Sequence, residues 1–274
     1  MRHIFLNLKR FDIPAIMGGV NRSNLGDWAS DIIIDTKGIS RYQDTEFATF
    51  FPEAYIINAR SATVTCGSPM HVGCQSVFRE DVEPGKNFGA FTSNRTAKSM
   101  KALGTDYTII GHCEERRDKL GIMAEAGAEN KNAVNRILNK QIKCAINSGL
   151  KVLYCIGESA DEQDVKYKIL EEQLAVGLDD VDISQVVIAY EPVWAIGPGK
   201  IPPDAAYITE IARFIKREFD DIPVVYGGGL KSDNAKMLAG IKEINGGLIA
   251  LTRFSGEIGF YVDEFLEIVE LYLS

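Results

Sequence analysis

Short apolar runs alternate along the chain with longer stretches in which apolar residues recur every three or four positions. The runs at 3–7, 46–51, 72–76, 107–111, 152–157, 186–190, 223–227 and 248–251 are brief and mostly rich in β-branched or aromatic residues, which predicts eight strands. Between them lie amphipathic segments. Over 204–219, Ile208, Ile211, Ala212, Ile215 and Phe219 form one apolar stripe, and over 164–178 Tyr167, Leu170, Leu174 and Leu178 do the same. Strands separated by helices imply parallel pairing, because a parallel connection needs a long crossover.

Eight such units close naturally into a single (β/α)8 barrel, an α/β fold, which takes about 250 residues. The chain has 274. A doubly wound open sheet is the alternative, but it calls for a Gly-rich phosphate loop after the first strand, and Asn7-Leu8-Lys9-Arg10-Phe11 has no glycine. No Pro/Gly/Ser linker divides the chain, so residues 1–274 read as one domain. The polar, Ala-rich stretch 118–140 is long for its place between the fourth and fifth strands and reads as a helical surface insertion that takes up the excess length.

Lys and Arg total 30 against 38 Asp and Glu, a net charge of −8 with no basic run, which argues against nucleic acid as a partner. No window approaches the roughly 18 to 20 apolar residues of a membrane span. The N-terminal apolar stretch is too short for a signal-peptide core, so a cytoplasmic protein is expected. Five cysteines without a CxxC pair signal neither a disulfide framework nor a zinc knuckle; they read as reduced packing residues.

In a barrel of this kind the chemistry sits where the strands end at their C-terminal mouths. Those positions hold Asn7 and Lys9, then His112-Cys113-Glu114, then Glu191, then the triglycine Gly227–Gly229, then Leu251-Thr252-Arg253. A carboxylate at Glu191, beneath the apolar segment that follows it, would be shielded from water and made more basic, as a general base requires; a strand-end Glu paired with a Lys or Arg is the alternative. His112 is the one histidine of three at a strand end. It is either a hydrogen-bonded packing residue or an imidazole that a helix N-terminus keeps neutral and able to donate to a substrate oxygen. Lys9 is a solvated lysine or a fixed charge for an anionic substrate. The triglycine is a tight turn or a place where a ligand meets backbone N–H groups.

Taken together, residues 107–114 (YTIIGHCE), 189–200 (AYEPVWAIGPGK) and 225–235 (VYGGGLKSDNA) closely resemble the signature segments of the triosephosphate isomerase family, in that family's order and spacing. Weaker likenesses at 7–9, 72–75, 89–92 and 152–158 extend over the chain. The resemblance implies an aldose–ketose isomerase that needs no cofactor or metal. In it Glu191 removes a carbon-bound proton, neutral His112 shuttles protons between the oxygens, Lys9 is the electrostatic clamp and Glu114 its neighbouring carboxylate. It further implies that Asn7 positions substrate, that 193–200 is a lid hinged near Pro192, and that Gly197 and Gly229 give N–H groups to phosphate. The 89–92 loop resembles one that reaches into a second subunit, so a homodimer is implied.

The departures gather at the phosphate end. One extra residue, Glu115, precedes Arg116-Arg117, and Leu8, Arg10 and Phe11 replace the usual Trp, Met and Asn around the lysine. Pro198 stiffens the lid where a small hydroxyl residue is usual. Gly229 replaces a serine, and Ala250-Leu251-Thr252-Arg253 replaces a Gly-Gly pair, although Arg253 could bind an anion bidentately. Three functions stay open. They are interconversion of dihydroxyacetone phosphate and glyceraldehyde 3-phosphate, isomerisation of a longer sugar phosphate such as L-erythrulose 1-phosphate to D-erythrulose 4-phosphate, and a non-catalytic phosphosugar-binding barrel.

Overall fold

In the computed structural model, which describes residues 1–197, 199–219 and 222–274, eight parallel strands close into a barrel in sequence order. They are β1 (Arg2–Asn7), β2 (Thr45–Phe51), β3 (His71–Gln75), β4 (Tyr107–Ile110), β5 (Lys151–Ile156), β6 (Val186–Tyr190), β7 (Val224–Tyr226) and β8 (Gly246–Ile249). The helices are α1 (Trp28–Asp35), α2 (Ile56–Cys66), α3 (Ala97–Ala102), α4 (Cys113–Glu125), α5 (Lys131–Asn147), α6 (Lys166–Gly177), α7 (Ala205–Glu218), α8 (Ala235–Ala239) and α9 (Val262–Leu273). Closure comes from β1, which pairs with β2 (Phe5 opposite Ala48) and with β8 (Phe5 opposite Leu248).

Side chains alternate across each strand, and the two sets have separate destinations. Phe5, Phe50, Tyr107, Ile109, Leu153, Val187, Val225 and Leu248 fill the barrel interior as one cluster. Their neighbours Ile4, Leu6, Phe51, Val152, Tyr154, Ile188 and Tyr226 face outward and pack under the helices. Burial on both faces explains why the strands read as continuous apolar runs.

The stripe expected over 204–219 forms α7, capped by Asp204, whose Oδ1 accepts the Tyr207 N–H at 2.8 Å; Ile208, Ile211, Ala212 and Ile215 are its buried face. The 164–178 helix begins with a 3-10 turn (Ala160–Val165) closed by a Ser159/Glu162 capping box, and Leu170 and Leu174 are buried in α6 while Tyr167 turns outward.

Two expectations need correction. The 118–140 stretch is not one surface insertion. It breaks at Gly127, and α5, N-capped by Asn130, buries Val134, Leu138, Ile142 and Ala145 as an integral barrel helix. Among the described α-helices, α4 alone has no buried residue. The eighth strand starts two residues early, at Gly246, and ends before Leu251. Glycines seldom signal a strand, yet this one is obligatory, since a Cβ at 246 would lie 1.7 Å from the His3 carbonyl oxygen.

A long connection follows β1, residues 8–27, and carries Ile16 at 95% exposure on its tip. It leans on the connection after β8, where the Arg22 guanidinium donates to the Ile258 carbonyl at 3.2 Å.

Candidate active site

Glu191 follows β6 directly, its N–H held by the Ile156 carbonyl at 2.8 Å. Its carboxylate is 2% exposed, pressed against the turn after β7, where a Cβ on Gly227 would fall 2.8 Å from Glu191 Cγ. Burial raises its pKa above the ordinary value, and His112, the Cys113 N–H and Lys9 partly offset the rise. Oε2 accepts the Cys113 N–H at 2.8 Å, and Oε1 faces His112 Nε2 at 3.4 Å.

His112 stands between β4 and α4 as the helix N-cap. Its Nδ1 accepts the Glu114 N–H at 3.3 Å, which fixes the proton of a neutral ring on Nε2, the nitrogen aimed at Glu191. A Glu114 carboxylate oxygen 3.6 Å from the same Nδ1 is beyond hydrogen-bond length.

Lys9 has φ of 41°, a conformation that non-glycine residues rarely hold and that surrounding structure must enforce. Three contacts do so. The Asn7 Oδ1 at the end of β1 accepts the Lys9 N–H at 3.1 Å, Gln75 Nε2 donates to the Lys9 carbonyl at 2.8 Å, and the Leu8 N–H bonds the Phe50 carbonyl. Lys9 Nζ then meets Glu114 Oε1 at 2.9 Å. Burial pushes the Glu114 carboxyl up, but the Lys9 ammonium more than reverses this, and it ends below its ordinary range.

The structure thus brings Asn7, Lys9, His112, Glu114 and Glu191 into one contiguous cluster. An open cavity of about 470 Å³ adjoins it, lined by Lys9, His112 and Glu114 and by the cationic side chains of Arg10, Arg79 and Arg95.

The phosphate-end residues are placed differently. Gly197 is exposed with φ of 123°, Gly229 has φ of 100°, and Leu251 is half-buried beyond the end of β8. Arg253 is committed internally: its Nε donates to Glu264 Oε1 at 2.6 Å and its guanidinium stacks 3.7 Å from the Tyr261 ring centre. The expected stiffening of the lid falls on Pro198, outside the described residues. The base of that segment is anchored on buried Glu158, whose Oε1 accepts from Trp194 Nε1 (2.8 Å), the Tyr190 hydroxyl (2.9 Å) and the Tyr207 hydroxyl (3.1 Å).

Three contributors escaped the sequence reading. Cys113 acts through its backbone N–H, which no side-chain pattern reveals. Glu115 is half-buried, accepting from the Gly111 N–H at 2.7 Å and the Ser76 hydroxyl at 2.6 Å. Arg116 turns back under the barrel mouth, donating to the Gly111 and Cys155 carbonyls, Asn135 and Tyr154. In the sequence, Glu115 stands out only as one extra residue ahead of Arg116-Arg117, which does not show where those side chains turn.

Among the described residues, one donor set lies within metal-ligand range: His112, Cys113 and Glu191, with ligand atoms within 4.8 Å of one another. Their lone pairs are already engaged. Nδ1 accepts from Glu114, and burial together with Glu191 pushes the Cys113 thiol up to about 12, far from the thiolate that metals bind.

A closed parallel (β/α)8 barrel whose strand mouths hold a buried carboxylate against an imidazole, with an ammonium–carboxylate pair beside them, defines a barrel with an ionisable cluster at its C-terminal face. Residues 28–271 match the family described as triosephosphate isomerase, and the chain belongs to that family. The triosephosphate isomerase of Chlorobium phaeobacteroides is 34% identical over 227 residues, 79% of this chain and 81% of the relative. That of Mycoplasmopsis pulmonis is 28% identical over 262 residues, 89% and 95%. The crystal structure of triosephosphate isomerase from Bartonella henselae shares the fold, with a TM-score of 0.73 at 24% identity over 100% of this chain and 99% of that one. The family match starts at Trp28 and so leaves out Asn7, Lys9 and the long connection after β1.

Proposed function

We propose that this protein is a sugar-phosphate aldose–ketose isomerase that moves a proton between adjacent carbons through an enediol, with dihydroxyacetone phosphate and glyceraldehyde 3-phosphate as its substrate pair. The observation that carries the reading is the buried Glu191, its pKa raised, facing a His112 whose N-cap bond directs Nε2–H into the same space. Glu191 takes the carbon-bound proton. His112, as a neutral donor, polarises the carbonyl and passes protons between the two oxygens. Lys9, clamped to Glu114, stabilises the developing oxyanion. Asn7 holds the Lys9 turn and faces the substrate. The 193–200 segment closes over the site, with Gly197 and Gly229 offering N–H groups to the phosphate. The chemistry draws on the chain's own side chains and backbone N–H groups, without metal or cofactor.

We further propose a cytosolic homodimer. Phe88, 81% exposed at the tip of the connection after β3, and the cationic cavity beside Lys9 are the surfaces a second copy would join. Among the described residues, no helix is long and apolar enough to cross a membrane.

A second reading, an isomerase of a four-carbon sugar phosphate, is favoured by one feature. Leu251 and the Arg253–Glu264 pair occupy the turn after β8, where close backbone approach to a small substrate would need bare glycines. A panel of triose and tetrose phosphates decides. Turnover of the triose pair at least ten times faster than of tetrulose phosphates supports the first reading, the reverse ratio supports the second, and turnover of neither returns the chain to a phosphosugar-binding role.

A further inference from the structure

At three strand mouths on one side of the barrel the backbone turns through a left-handed residue: Lys9 after β1 with φ of 41°, Ser76 after β3 with φ of 70° and Gly111 after β4 with φ of 79°. Gly111 adopts that turn without strain, and a Cβ there would lie 2.8 Å from the Cys155 carbonyl oxygen. Lys9 and Ser76 hold a conformation that persists only where neighbours over-determine it. One side chain links all three. The Glu115 carboxylate, in the first turn of α4, accepts the Gly111 N–H on Oε2 at 2.7 Å and the Ser76 hydroxyl on Oε1 at 2.6 Å. Gln75, next to Ser76, donates from Nε2 to the Lys9 carbonyl at 2.8 Å and to the Phe50 carbonyl of β2 at 3.2 Å.

The carboxylate is itself held in place. Gln141, buried on α5, donates to Oε1 at 2.9 Å, and Lys119 Nζ, one turn along α4, stands 3.0 Å from the same oxygen. Burial pushes the Glu115 carboxyl up, but the Lys119 ammonium and the bonds from Ser76, Gly111 and Gln141 more than reverse this, so it stays ionised. Its partners flank the chemistry. Gly111 immediately precedes His112, whose carbonyl accepts the Arg116 N–H at 3.0 Å, so the histidine backbone is fixed on both sides. Through Ser76 and Gln75 the same carboxylate reaches the turn that aims Lys9 at Glu114. The mouths of β1, β2, β3 and β4 are thereby joined through one ion.

We infer that Glu115 is a positioning residue that sets Lys9 and His112 relative to each other, acting through Gly111 on one side and through Ser76 and Gln75 on the other. It is also the residue by which this segment exceeds the family's signature, so the linkage is a feature of this chain. The inference rests on the isomerase reading for its effect on turnover; the linkage between the two turns does not need turnover. A misplacement of about 1 Å between groups that act in one step costs about 10²-fold in rate.

The test measures kcat and KM on the phosphosugar panel, and amide hydrogen exchange without substrate, for the full chain and four variants. Glu115→Ala removes both acceptors, Glu115→Gln keeps one for the Gly111 N–H, and Ser76→Ala cuts only the link to the β3 connection. Glu46→Gln, at the opposite end of the barrel, controls for lost stability. Expected in E115A are a kcat lower by about 10- to 100-fold with KM changed less than about threefold. The Lys9 N–H should exchange at least about tenfold faster there, although its own acceptor, Asn7, is untouched. E115Q should recover kcat to within about fivefold, S76A should fall between, and E46Q should show neither effect. In a Lys9→Met background the kcat loss from E115A should shrink to less than about threefold. Where E115A does not fold, S76A decides by the same readouts. Faster exchange at Lys9 in the variants of a wild type that turns over nothing overturns the isomerase reading and leaves the linkage standing. Exchange at Lys9 within about twofold of wild type in E115A and S76A, or a kcat loss as large in the Lys9→Met background as in wild type, overturns the inference.

Discussion

The two ends of the barrel carry the same chemical pieces and treat them in opposite ways. At the N-terminal end, Glu46 of β2 meets Lys151 Nζ at 2.7 Å and His3 Nδ1 at 3.1 Å, with His71 Nε2 at 3.6 Å; His71 in turn faces Asp106 at 3.2 Å. Burial alone would raise the Glu46 carboxyl, but the bonds from His3 and Lys151 overwhelm it and hold it well below the usual range. At the C-terminal mouth, Glu191 also faces a histidine and lies near a lysine. There the lysine is taken by Glu114, the histidine is turned by its bond to the Glu114 N–H, and burial wins. One carboxylate is made a better ion and therefore a staple of the sheet. The other is made a better proton acceptor at a cost in stability, which is how a barrel divides its two faces between folding and chemistry.

That contrast can be broken most sharply by the same substitution at each end. Glu191→Gln is expected to lower turnover by at least about 10³-fold, the contribution of a positioned base. It should leave the melting temperature unchanged or higher, because a buried charge is removed while Gln Oε1 still accepts the Cys113 N–H. Glu46→Gln should do the reverse: turnover within about threefold of wild type and a loss of about 1–3 kcal/mol in stability, a drop of several degrees by calorimetry. A Glu46 variant that lost activity without loss of stability would contradict the division.

Next in size is Lys9→Met, expected to cut kcat/KM by about 10²-fold while releasing Glu114. Its effect should shrink in a Glu114→Gln background, since the two groups act as one pair.

The pH dependences have opposite signs. A raised Glu191 means that activity, present when the group is ionised, fails on the acid side at a pH above that of an ordinary Glu. The lowered Glu46 contributes stability that is full above its unfolded pKa and is lost as pH falls through the folded one. The acid limb of kcat/KM should therefore lie well above the acid unfolding transition, and Glu46→Gln should flatten that transition without moving the activity limb. The smallest effect is expected from Cys113→Ser. The contact with Glu191 is made by the backbone, so turnover should stay within about threefold.

How much of this was legible in the sequence follows from the range of the forces involved. Strand positions and the α7 stripe were readable because alternation and the 3.6-residue period are local consequences of burial, and Lys9, His112 and Glu191 were readable because strand ends in a barrel are where side chains converge. The start of β8 was hidden because Gly246 is dictated by the His3 carbonyl of a strand more than two hundred residues earlier. The Arg253–Glu264–Tyr261 cluster and the inward turn of Arg116 were likewise set by tertiary partners, and a lone arginine at a strand end gives no sign of which carboxylate will claim it. The 118–140 stretch misled because α4 is polar all round, while α5 carries its apolar face only from Val134 onward.

The central claim, that Glu191 is the base of a carbon-to-carbon proton transfer, is tested most directly by running the reaction in deuterated water and following label at the carbon next to the carbonyl by NMR, with wild type and Glu191→Gln side by side. The account predicts solvent deuterium in product and in recovered substrate with the wild-type protein, and none above background with the variant. Isomerisation by the wild type without any uptake of solvent deuterium, or label entering at an undiminished rate in Glu191→Gln, would contradict it.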